Sequence, residues 1–123
     1  MNTWQKYVIP KSIDEALHYL ISAPGPARPI GGGTDLLLEI QQGHHPPVHT
    51  LVDVTRIPEL LCLEERGDQL FIGAAVPVKT ITESPLVRHH ATAVAEACGL
   101  IGGPQVRNTA TLGGNVAHAL PAA

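Results

Sequence analysis

Cysteine is scarce in this 123-residue chain: Cys62 and Cys98 are the only two. Two thiols cannot by themselves hold an iron–sulfur cluster or a structural zinc, and they stand outside any C-x-x-C spacing. Aromatic residues number four (Trp4, Tyr7, Tyr19, Phe71), and acidic residues outnumber Lys and Arg for a net charge of −3. A chain with so few stacking faces and no basic excess is poorly equipped to grip nucleic acid. No apolar run approaches the roughly 18 residues of a membrane span. The opening M-N-T-W-Q-K has no apolar signal segment. The expectation is a cytoplasmic protein with reduced thiols, bound to neither nucleic acid nor membrane.

Apolar residues make up 44% of the chain, enough for a real core in a domain of this size. Glycine (12) and proline (11) are also abundant, together close to a fifth of the chain against roughly an eighth on average. Their clustering organises the sequence. K-Y-V-I-P (Lys6 to Pro10) reads as a short extended segment. S-I-D-E then forms a capping box, Glu15 three residues after the Ser12 cap. Ile13, Ala16, Leu17, Leu20 and Ile21 follow at helical spacing, and Pro24-Gly25-Pro26 ends that helix. Ala27 to Ile30 forms a brief strand running into Gly31-Gly32-Gly33, and Thr34 or Asp35 caps a second helix that stops by Gly43. Leu51 to Val54 is a third strand. The order strand, helix, strand, helix, strand is that of a small parallel unit.

After Pro58 the texture changes. Leu61 to Glu65 and Gln69 to Gly73 flank Arg66-Gly67-Asp68 as a hairpin. Val78 to Ile81 reads as one turn of helix, and Val87 to Cys98 as one longer helix with Val87, Ala91, Val94, Ala95 and Cys98 on one side. The break near residue 55 divides the chain into two subdomains, 1–55 and 56–123.

Two segments carry the chemistry. In P-I-G-G-G-T-D-L, residues 29–36, glycines leave bare backbone at a strand-to-helix turn. Successive N–H groups followed by a helix start make an anion-binding concavity, with the Thr34 hydroxyl as a further donor. The alternative is a tight turn in which glycine serves conformation alone. The loop is neither G-x-G-x-x-G nor a Walker A loop. The second segment, G-G-P-Q-V-R-N-T-A-T-L-G-G-N, covers residues 102–115 and pairs another glycine doublet with Thr111 and Asn115. Two such turns imply a diphosphate held from both sides by neutral donors, with no lysine in either turn.

P-I-G-G-G-T-D-L followed by I-G-G-P-Q-V-R-N-T-A-T-L-G-G-N-V-A-H-A-L-P-A-A resembles the FAD-binding (medium) subunit of the molybdenum hydroxylases. That family includes the subunits of carbon monoxide dehydrogenase, xanthine dehydrogenase and 4-hydroxybenzoyl-CoA reductase. K-Y-V-I-P-K-S-I-D-E-A-L and L-V-D-V-T-R-I-P-E-L are also similar to the family, so the resemblance spans the chain. It implies an α+β fold of two small FAD-binding subdomains, the first a βαβαβ unit and the second built on an antiparallel sheet. It implies that Ile30, Gly31, Gly32, Gly33, Thr34 and Asp35 wrap the FAD pyrophosphate. Thr111, Gly113, Gly114 and Asn115 would contact it or the ribityl chain from the second loop. Ile101 would pack near the adenine, and His118 would stand close to the cofactor. Arg107 and Asn108 would brace the second loop.

The implied activity is that of an electron-transfer subunit of a molybdenum-containing dehydrogenase. FAD would take electrons from [2Fe-2S] clusters of a small partner subunit and pass them to an external acceptor. The molybdenum cofactor would sit in a large partner subunit, and no residue here need be an acid or base. The alternatives are another flavoenzyme of the same broad fold, or a non-catalytic fragment unable to hold FAD. In the family A-L-P-A-A is followed by an acidic residue, further strands and a C-terminal domain. The chain is therefore expected to be an N-terminal fragment, inactive alone, that self-associates or needs its remaining half.

The histidines make a weaker case for metal. His45 and His49 are i, i+4, but Pro46 and Pro47 between them forbid the helix that would align them. His89-His90 reads as solvent-facing. Cys62 and Cys98 read as buried small apolar residues, and Asp53 as a structural turn residue at a strand end.

Overall fold

The computed structural model describes residues 4–118. The terminal A-L-P-A-A stretch of the resemblance therefore lies outside the described residues. β1 (Lys6–Val8), β2 (Ala27–Ile30) and β3 (Thr50–Asp53) form a parallel sheet with β3 in the centre. Parallel strands need crossovers, here through α1 (Ile13–Ser22) and α2 (Leu36–Gln41). All four residues of β3 are buried, as befits a strand covered on both faces. Side chains alternate along it. Leu51 enters a cluster with Ile30, Ile40 and Val48 beside α2, and Val52 enters one with Ala16 and Ile57 beside α1.

The Ser12 hydroxyl accepts the Glu15 N–H at 3.1 Å, capping α1 as expected. The Glu15 carboxylate reaches back one residue further than a capping box requires, accepting the Lys11 N–H at 3.2 Å. The apolar face of α1 is only partly used. Ala16, Tyr19 and Leu20 meet the core, whereas Ile13, Leu17 and Ile21 are 42%, 49% and 82% exposed. The stripe is wider than a sheet of three short strands can cover. Asp53 does serve as a turn residue: it accepts the Thr55 N–H at 2.8 Å and hydroxyl at 2.5 Å, and the Tyr7 hydroxyl of β1 at 2.6 Å.

A 3-10 turn at Pro58–Leu60 leads to the antiparallel hairpin of β4 (Leu63–Arg66) and β5 (Gln69–Ile72). Gly67, with φ +63°, makes the two-residue turn possible. The hairpin is the expected one, but β4 begins two residues later, at Leu63, and Arg66 pairs with Gln69 rather than standing in the turn. Then come α3 (Val78–Glu83), α4 (Pro85–His90) and α5 (Thr92–Gly99). The single helix expected over Val87 to Cys98 is broken at Ala91, whose φ/ψ of −148°/60° is not helical. The Thr92 hydroxyl donates to the Arg88 carbonyl across the break. The bend brings Val87 on one side and Ala95 and Cys98 on the other into one cluster with Val76, Val78 and Ile81. Cys98 is buried, and burial pushes its thiol pKa up; Cys62 is only half-buried, against expectation.

The second glycine segment is not one open loop. It contains α6 (Pro104–Thr109) and α7 (Leu112–His118). Proline at the first turn suits α6. Two glycines early in α7 oppose helix formation by propensity, and tertiary bonds compensate. The Leu112 N–H donates to Val76 at 3.2 Å, and the Gly113 N–H to Ala74 at 2.8 Å. No helix among the described residues is long and apolar enough to cross a membrane.

Candidate functional site

β2 ends at Ile30, which is buried. The chain then leaves the sheet through Gly31 and Gly32 and turns at Gly33 with φ +78°. Among the described residues no protein acceptor meets the N–H groups of Gly32, Gly33 or Thr34. Asp35 holds the position before α2 but makes no side-chain cap bond. Because α2 has only six residues, its dipole is small, and the unpartnered donors here are the N–H groups of the loop itself.

This loop forms one wall of a cavity of about 740 Å³, within the usual range for small-molecule and cofactor sites of about 300–1,000 Å³. The other walls are the turn between α5 and α6, the Ala110-Thr111 turn and α7. Of the residues expected at the site, Ile30, Gly31, Gly32, Gly33, Thr34, Asp35, Ile101, Thr111, Gly114, Asn115 and His118 all line it. Gly113 does not; its backbone faces Ala74, and a Cβ there would come 2.8 Å from the Ala74 Cβ.

The two glycine segments also touch each other. A Cβ on Gly31 would fall 2.5 Å from Thr111 Oγ1, and one on Gly32 would run into the Thr109 carbonyl. Thr111 Oγ1 in turn accepts the Gly114 N–H at 3.1 Å. The expectation that these glycines serve ligand approach is thus incomplete, because docking of loop on loop already requires bare backbone at Gly31 and Gly32. Arg107 braces the second segment as expected. Its Nη1 donates to the carbonyls of Gly99 at 3.0 Å, Ile101 at 3.2 Å and Gly102 at 2.9 Å, fixing the turn that presents Ile101. Asn108 is exposed.

Sequence reading missed several lining residues. Leu100, 85% exposed, extends the apolar wall of Ile101 together with Val106 and Ala117. Arg28, Glu39 and His45 add charge and polarity. Arg28 is two residues before Ile30 on one strand, and Glu39 is one helical turn after Asp35, so both had a local signal. His45 reaches the cavity through tertiary folding and had none. The His118 ring stands between two carboxylates, Nε2 3.7 Å from Asp35 and Nδ1 3.6 Å from Glu39. Those separations are too long for hydrogen bonds and suit an ion pair when the ring is protonated.

Away from this cavity the histidines have local partners. His49 Nδ1 is 2.7 Å from Thr50 Oγ1, and His90 pairs with Glu65. Among the described residues no three His, Cys, Asp or Glu side chains stand together as a metal set.

Free N–H donors on one wall and an apolar face on another suit a ligand with a phosphate linkage and a planar ring. Comparison with known proteins gives the class. A model of the FAD binding domain in molybdopterin dehydrogenase matches residues 2–123, and the chain belongs to that family.

The carbon monoxide dehydrogenase medium chain of Hydrogenophaga pseudoflava is 39% identical over 116 residues, covering 94% of this chain and 40% of the relative. The nicotinate dehydrogenase FAD-subunit of Eubacterium barkeri is 34% identical over 114 residues, covering 90% of this chain and 38% of its own length. Among solved structures, carbon monoxide dehydrogenase from Hydrogenophaga pseudoflava superposes with a TM-score of 0.89 at 38% identity, over 95% of this chain and 40% of that one. Quinoline 2-oxidoreductase from Pseudomonas putida 86 gives 0.86 at 29%, over 94% and 40%. The chain thus spans about two-fifths of the length of these relatives. The fold is the mixed α/β fold of these FAD-binding subunits, a parallel three-stranded sheet beside a small antiparallel one.

Proposed function

We propose that this chain is the FAD-holding part of an electron-transfer subunit in a cytoplasmic molybdenum-containing dehydrogenase. A small partner subunit with [2Fe-2S] clusters supplies the electrons, a large one carries the molybdenum cofactor, and the acceptor is external. Segments 1–55 and 56–123 act as two FAD-binding subdomains that meet at the cavity. The observation that carries this reading is the convergence of the Gly32 to Thr34 donors and the Leu100-Ile101 wall on one space.

The flavin, when bound, supplies the redox chemistry. The protein's own residues bind and orient. Free N–H groups of the first loop would donate to the pyrophosphate oxygens, with Thr34 and Asn115 as further neutral donors. Leu100 and Ile101 would offer an apolar face to the adenine. His118 is placed to link α7 to α2 through Asp35 and Glu39. None of these side chains has to move a proton.

Titration with FAD of the protein purified at its full natural length, followed by quenching of flavin fluorescence, tests the reading. One FAD per chain is expected, weakened at least tenfold by Ile101→Asp, which puts a charge into the apolar wall. Absence of binding by the unaltered protein, or equal binding by the variant, overturns the assignment. Co-purification of iron–sulfur and molybdenum subunits tests the partner roles separately.

A further inference from the structure

Among the described residues Arg28 is the only lysine or arginine lining the cavity. Its Nη2 donates to His45 Nε2 at 3.1 Å. The other ring nitrogen, Nδ1, lies 2.8 Å from the Pro46 carbonyl. A carbonyl can only accept, so Nδ1 carries the hydrogen. Nε2 is then left as the acceptor, and the imidazole in this arrangement is neutral. The ring therefore fixes the guanidinium without neutralising it. Among the described residues Arg28 forms no salt bridge with a carboxylate.

A guanidinium has five N–H donors in a planar fork, and His45 engages one nitrogen. The remaining edge is free for a bidentate contact of the kind arginine makes with phosphate. The charge balance of the cavity calls for such a contact. Asp35 and Glu39 both line the space and both repel an anion. The N–H donors of the first loop carry only partial charges, so among the described lining residues Arg28 is the one permanent cation that offsets the carboxylates.

We propose that Arg28, oriented by neutral His45, is a phosphate-recognising contact at the rim of the cavity, so that a bound dinucleotide is held by a fixed cation as well as by loop N–H groups. The inference rests on the reading that the cavity takes FAD. It adds that ligands bearing a phosphate are preferred over the corresponding nucleoside.

The test compares binding of FAD, ADP and adenosine to the wild-type protein and to Arg28→Gln, Arg28→Lys, His45→Leu and His45→Gln, by calorimetric titration, with thermal melts as a folding control. Arg28→Gln is expected to weaken FAD and ADP about tenfold, or about 1.4 kcal/mol, and to leave adenosine within about twofold. Arg28→Lys keeps the charge but not the fork and should fall between. His45→Leu removes the acceptor and should weaken FAD about threefold, whereas His45→Gln retains an acceptor and should restore most of it. Equal losses for ADP and adenosine would overturn the proposal, making Arg28 a contact to the base. Unchanged FAD and ADP binding in Arg28→Gln would overturn it too, while leaving the FAD reading intact. A wild-type protein that binds neither FAD nor ADP overturns both.

Discussion

A Cβ on Gly32 would occupy the space of the Thr109 carbonyl oxygen, so the turn after β2 and the turn before α7 meet as backbone on backbone. Gly31 repeats the relationship one residue earlier, against the Thr111 side chain. The cavity exists because these turns are docked. One carries the free N–H donors, the other positions α7 with Asn115 and His118, and neither wall has its geometry without the contact.

Replacing Gly32 by alanine should therefore weaken the fold and the site together. The obstruction is a carbonyl rather than the end of a flexible side chain, so the turns must part. The expected cost is about 1–3 kcal/mol, typical of overpacking. Gly103 is the control, since a Cβ there meets nothing within 4 Å, and Gly103→Ala should stay within about 0.5 kcal/mol of wild type. Urea denaturation gives the stabilities. FAD titration under folding conditions should show weaker binding for Gly32→Ala alone. Equal stabilities for the two variants would show that the docking of the turns is not tight.

The parts of the fold visible in the sequence are those with a local cause. Ser12 and Glu15 mark the start of α1, Pro24 to Pro26 mark its end, and Gly67 marks the hairpin turn. The break at Ala91 had no such marker, since no glycine or proline interrupts His89 to Thr92. It shows only in the folded chain, where Val87 and Cys98 from the two sides of the break pack in one cluster. The helix α7 was hidden for the opposite reason. Gly113 and Gly114 read as loop, yet Gly113 is there because its backbone lies against Ala74. At the site, the glycine turns were legible as motifs, but their mutual contact was not. His45 reaches the cavity only through folding, and nothing adjacent in sequence announces it, whereas Leu100 directly precedes Ile101.

Arg107 offers a second test of how the cavity wall is held. One nitrogen serves three carbonyls, those of Gly99, Ile101 and Gly102. Removing it leaves the end of α5 and the turn after it without their charged donor. Arg107→Gln should cost about 2 kcal/mol, in the range for hydrogen bonds from a charged group. Arg107→Lys should recover part of that, because a single ammonium can also serve several carbonyls but from a different reach. Amide hydrogen exchange over residues 99–103 checks that the loss is local. Unaltered exchange there in Arg107→Gln would mean that the turn stands without its brace.

Tyr7 links the outer strand β1 to the central strand through its hydroxyl on Asp53. Its pKa is raised well above the usual tyrosine value, first by burial, then by the hydrogen bond to Asp53 and by that carboxylate's charge. A raised pKa means that the folded protein holds the phenol proton more tightly than the unfolded chain does. The resulting stabilisation is fully present below the unfolded value of about 10 and is lost as pH rises beyond it. At neutral pH, Tyr7→Phe should be less stable by about 1–3 kcal/mol, the cost of a hydrogen bond to a charged acceptor. Above pH of about 10 the wild type loses this advantage, while the phenylalanine variant has no phenol to ionise. The gap between them should therefore narrow with alkalinity. Urea denaturation of both proteins from neutral to strongly alkaline pH measures it, and a gap that stays constant or widens would show that the Tyr7 hydroxyl does not hold β1 to β3 through Asp53.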